Sequence, residues 1–128
     1  MLTRLFAFHF LLVGCTIASA NEKELLEARY NVARNGFVTA KNDFKQKKAS
    51  VEDVVNWSKR VLYSGLEAEA AGATILYEMH LKRMKELESE VEARKGDVSD
   101  LEKTAASFAR ADAEVELAKA KAKDKKRN

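Results

Sequence analysis

The sequence contains no proline, five glycines and one cysteine. Without proline nothing forces a helix to kink, so breaks must come from caps, glycines and charge. One cysteine excludes a disulfide within the chain. Histidine is nearly as scarce: His9 and His80 are the only two, and His80 alone lies beyond residue 20. No cysteine or second histidine can therefore join His80 as a metal ligand, and Glu78 next to it does not share its helical face. There is no glycine-rich phosphate loop and no nucleophile elbow. Alternating strand patterns flanked by turn residues are missing too. After residue 20 no run is apolar enough to cross a membrane. These absences point to a protein that is not an enzyme and takes no cofactor, metal or small-molecule substrate.

What is present begins with an export signal. Arg4 supplies a positive charge, Leu5 to Val13 is apolar apart from His9, and Ala18-Ser19-Ala20 places small residues where a signal peptidase cuts. Residues 1–20 therefore read as a removable signal peptide. A second reading overlaps it: Leu12-Val13-Gly14-Cys15 resembles the lipobox of bacterial lipoproteins, in which the signal ends before Cys15 and the cysteine is acylated. Both readings place the protein outside the cytoplasm, in the periplasm or at the outer membrane, and both account for the only cysteine.

The 23 basic residues include just Arg4 within the signal, leaving 22 basic and 20 acidic residues from Asn21 onward. The distribution matters more than the sum. Lys119, Lys121, Lys123, Lys125, Lys126 and Arg127 crowd the C-terminus with only Asp124 against them. Residues 119–128 form a basic tail without interleaved aromatics. It reads as a solvated helix end or as a contact for anionic membrane or cell wall. Nucleic acid is disfavoured as a partner, since an exported protein does not normally meet it.

Alanine, glutamate, lysine and leucine dominate, which favours helix. Leu26, Tyr30, Ala33, Phe37, Ala40 and Phe44 step by 4, 3, 4, 3, 4, and Tyr77, His80, Met84, Leu87 and Val91 by 3, 4, 3, 4. Both are heptad seams of helices packed side by side. Two further rows recur every seven residues: Val54, Val61, Ala68, and Leu101, Phe108, Val115, Ala122. An internal repeat at an offset of 47 relates them, carrying Tyr30 to Tyr77, Phe44 to Val91, Val54 to Leu101 and Val61 to Phe108.

Each repeat breaks once. In the first, Lys47-Lys48-Ala49 ends a helix, Ser50 caps the next, and Asp53 sits at the third position. In the second, Lys95-Gly96 precedes Asp97, which reads as the mirrored cap with Asp100. The expected fold is all-α: two antiparallel, coiled-coil-like hairpins over residues 21–71 and 72–118, followed by the tail. That makes four helices, or three if the middle pair runs on across Gly72. The seams hold many small residues, so self-association is expected to supplement a thin core.

Trp57 follows the first turn, and its repeat counterpart is Thr104. It reads either as a partly buried packing residue or as an aromatic anchor for a partner at an exposed tip.

The turn segments resemble the periplasmic hairpin tips of the outer-membrane efflux (TolC-like) family. Phe44, Ser50, Asp53 and Val54 stand at the family's tip spacing, and Val91, Asp97, Asp100 and Leu101 repeat it. Lys47 and Arg94 occupy the place of the family's tip glycine. The resemblance covers about residues 25–118 and only the coiled-coil portion, since that family's chains are longer and contain barrel strands. It implies a structural or interaction module of the cell envelope whose tip residues Lys47, Ser50, Asp53, Trp57, Arg94, Asp97 and Asp100 face a partner, itself a coiled-coil protein or another copy.

Overall fold

The structure, a computed structural model, describes residues 21–128. The expected signal peptide, residues 1–20, and the candidate lipidation residue Cys15 lie outside the described residues. Four helices make up nearly all the rest: α1 (Glu22–Lys45), α2 (Val51–Glu67), α3 (Ala73–Ala93) and α4 (Asp100–Arg127), with no strand among the described residues. α1 pairs with α2, and α3 with α4, as two antiparallel hairpins. α2 is central, since it also contacts both helices of the second hairpin.

The middle pair does not run on as one helix. α2 stops because Glu69 turns left-handed (φ 50°). The amide of Ala70 then donates to Gly65 O (3.0 Å) and that of Glu69 to Leu66 O (3.2 Å). These two bonds satisfy carbonyls that the helix end leaves open. α1 ends by the same device: Lys47 has φ 61°, Lys47 N–H donates to Phe44 O (3.1 Å) and Lys48 N–H to Asp43 O (2.8 Å).

The first cap is as expected. Ser50 Oγ accepts from Asp53 N–H (3.2 Å), and Asp53 Oδ2 accepts from Ser50 N–H (2.9 Å), a reciprocal capping box. The second differs. Ser99, not Asp97, caps α4 by accepting from Glu102 N–H (3.2 Å), so Asp100 is the first helical residue and not the third. Gly96 at φ 89° lengthens this turn, and Val98 buries itself beneath it.

The helices run alternately up and down. α2 is antiparallel to both α1 and α3, so α1 runs parallel to α3, and ion pairs Lys41–Glu86 (3.8 Å) and Lys45–Glu90 (3.6 Å) span the two. Both turns therefore sit at the same end of the bundle. Ala33, Ala40, Phe44, His80, Met84, Leu87, Val91, Val54 and Val61 are all buried, so three of the four heptad rows face the core.

The fourth row does not. Leu101, Phe108 and Val115 are 80%, 71% and 52% exposed, and α4 buries Ala106, Ala109, Ala113 and Leu117 instead. The repeat carries residue positions from α2 to α4 but not neighbours. α2 is wrapped by three helices, whereas α4 touches only α3 and α2. Alanines let α4 approach its neighbours closely, and its larger side chains are left on the far face.

Candidate interaction site

The turn end of the bundle is built from both hairpins. Lys47 Nζ pairs with Asp97 Oδ2 across the two turns (3.3 Å). Arg94 donates from Nη1 to Phe44 O (2.8 Å), a second donor to the carbonyl that already accepts from Lys47 N–H, and its guanidinium lies 4.0 Å from the centre of the Phe44 ring. The half-buried Arg94 therefore ties the two turns together, while Lys47 and Asp97 are exposed. Ser50 and Asp53 serve the first turn. The Ser50 amide and hydroxyl donate to the Asp53 carboxylate and hold its pKa below the usual value. Asp100 is exposed at the start of α4, beside Lys103 (3.8 Å).

Trp57 stands apart from this cluster. Its ring lies flat against Gly36 of α1, so close that any larger residue at 36 would collide with it. The Arg60 guanidinium also lies over the ring, 4.4 Å from its centre. The half-buried ring packs the first hairpin and forms one wall of an open groove of about 290 Å³ with Val32 and Tyr63. Of the seven tip residues, the structure brings Lys47, Ser50, Asp53, Arg94, Asp97 and Asp100 to the turn end, and places Trp57 farther along α2, against Gly36 of α1.

The basic tail is the last part of α4 and not a separate segment. It stays helical to Arg127, and residues 121–128 are exposed. Lys121 pairs with Glu78 of α3 (3.6 Å), and Thr74 donates to Asp124, which docks the tail against the start of α3. Lys119 pairs with Glu116 (3.3 Å).

Two features were not visible in the sequence. One is the exposed apolar face of α4. The other is a buried polar link between the hairpins. Arg83 Nε–H donates to Ser58 Oγ (2.7 Å), and Ser58 Oγ lies 2.8 Å from His80 Nδ1. Because guanidinium can only donate, the hydroxyl accepts from Arg83, and its remaining bond with Nδ1 runs from the hydroxyl to a bare Nδ1 in one tautomer and from Nδ1–H to the hydroxyl in the other. His80 is neutral in either tautomer. Burial, then the charges of Arg83 and Lys59, lower its pKa to about 4, with Asp112 opposing. Ser58, His80 and Arg83 are packed between helices, with no cavity opening onto the hydroxyl. Sequence spacing offers no signal for the link, because Ser58 and His80 belong to different helices.

Among the described residues no group of three or more His, Cys, Asp or Glu is arranged to hold a metal, and no helix is long and apolar enough to cross a membrane. No protein-family model, curated protein or solved structure matches the chain.

Proposed function

We propose that this protein is an exported, non-enzymatic helical-hairpin module of the bacterial cell envelope, and that it works by presenting its turn end to another protein. The observation that carries this reading is the meeting of both turns at one end of the bundle. There Lys47 and Asp97 form an exposed ion pair on a scaffold braced by Arg94. Two neighbouring tips on rigid helices are what an end-on contact requires, since the site is held by packed elements and not by loose loops. The resemblance to efflux-channel hairpins supports the same geometry. The charge of Lys47 where that family has glycine suits a partner with a polar, charge-complementary face.

The test is capture of envelope proteins by the intact chain and by Lys47→Ala and Asp97→Ala variants. Both residues are exposed and contribute little to stability, because surface ion pairs are worth about 0–1 kcal/mol. Loss of a captured partner with unchanged melting supports the tip contact. Equal capture by both variants and the unaltered chain removes it.

A second reading is favoured by the exposed basic end of α4: a lipid-anchored envelope protein, acylated at Cys15, whose Lys119–Arg127 segment holds cell wall or anionic membrane.

A further inference from the structure

We infer that the outer face of α4 is an interface, and that its occupant is a second copy of this chain with its α4 running antiparallel. From Leu101 the exposed side of this helix steps by 3, 4, 3, 4, 3 through Thr104, Phe108, Ala111, Val115 and Ala118. That is the apolar seam of a coiled coil, and no described residue covers it. It lies opposite the alanine face that α4 already spends on its own bundle.

Two observations set the orientation. The first is the internal repeat. Val54 is the counterpart of Leu101 and is buried in the cleft where α3 closes over α2, beside Leu87 and Arg83. α3 is antiparallel to α2. The equivalent place on α4 is empty, and an equivalent neighbour would be antiparallel to α4. The second is charge. The flanks of the seam carry only acids in the first half, Asp100, Asp112 and Glu114. They carry only bases in the second, Lys119, Lys121 and Lys126. Parallel copies would gain Glu114 against Lys119 but set Lys121 against Lys126 and leave Asp112 facing Ser107. Antiparallel copies centred between Glu116 and Leu117 stack Val115 on Ala118 of the second copy and Ala111 on Ala122. In the same register Asp112 meets Lys119 and Glu114 meets Lys121, each twice by symmetry. Phe108 then covers the aliphatic stem of Lys125. Leu101 projects beyond the overlap and contributes nothing.

This pairing sends the two turn ends in opposite directions. At 1.5 Å per residue along α4 they stand about 50 Å apart, so the dimer is a short rod with a tip at each end. The dimer itself is independent of the proposed tip function. The two-ended role rests on it.

The experiment is sedimentation equilibrium of the full chain, as recovered from the producing cells, over a range of concentrations. A reversible monomer–dimer equilibrium that weakens with salt is expected, because its flanking ion pairs are exposed. Phe108→Lys, which would face Lys125 of the second copy, and Val115→Glu should each weaken it by more than about tenfold, whereas Leu101→Glu should leave it within about twofold. Circular dichroism of these exposed-site variants checks that the fold is kept. Asp112→Lys and Lys119→Glu should each weaken the dimer, and the double variant should recover it. A monomer at all concentrations overturns the proposal. So does a dimer indifferent to Phe108→Lys and Val115→Glu. A double variant no better than the singles overturns the antiparallel register. Loss of envelope capture by the tip variants would leave all these results unchanged, which separates this proposal from the tip reading.

Discussion

Lowering the pH from 7.5 to 5 should destabilise the bundle through one residue, His80. In the fold its imidazole is buried, neutral and bonded through Nδ1 to Ser58, with a pKa near 4 against an ordinary 6.5. Protonation would place a full charge in a buried site, beside the cation of Arg83. The unfolded chain therefore binds the proton more readily. Stability from the neutral form is fully present above pH 6.5 and is lost as pH falls from 6.5 toward 4. A separation of about 2.5 pH units corresponds to roughly 3 kcal/mol in full, of which about 2 kcal/mol is gone by pH 5. That is a large part of the 5–15 kcal/mol typical of small domains. Urea unfolding followed by circular dichroism at pH 7.5, 6 and 5 measures it. Most carboxylates titrate below this window, so His80→Gln should flatten the dependence. An equal loss in His80→Gln, or no loss in the unaltered chain, would refute the buried neutral assignment.

Three further outcomes follow from single side chains. Gly36→Ala should destabilise by about 1–3 kcal/mol through collision with the Trp57 ring, although alanine is the better helix former, and adding Trp57→Leu should recover much of the loss in a thermal melt. Lys47→Gly should raise stability by about 0.5–1 kcal/mol, because glycine accepts the left-handed turn that costs lysine 1–2 kcal/mol, and the exposed Lys47–Asp97 pair gives back little. Co-sedimentation with anionic vesicles should fall steeply with salt if the Lys119–Arg127 segment binds them, and truncation after Ala118 should abolish it; binding that survives truncation clears the tail of that role.

The seams of α1 and α3 were legible because each of these helices has a single buried stripe, and a 3-4 step records one stripe faithfully. Ser50 and Asp53 were legible because a capping box is local. The second cap was misplaced by two residues. The mirrored Asp97 matched the repeat, yet Gly96 lengthens the turn and hands the capping role to Ser99. Repeat logic also inverted α4. Leu101 and Phe108 inherit the positions of Val54 and Val61 but not the third helix that buries those residues. The part of the site made of both turns needed the parallel alignment of α1 and α3, which comes from packing both hairpins through α2 and is spanned by Lys41–Glu86 and Lys45–Glu90. Such pairings between distant, abundant charges leave no trace in spacing. The Ser58–His80–Arg83 link is hidden for the same reason.

Whether this bundle works outside the cytoplasm is tested most directly by the intact mass of the protein recovered from the envelope fraction of the cells that make it. The predicted result is a chain that begins at Asn21, processed after Ala20. A chain beginning at an acylated Cys15 keeps the envelope location and shifts the function to the lipid-anchored form. A mass that retains residues 1–20, with the protein confined to the cytoplasmic fraction, would contradict export and with it the proposed function.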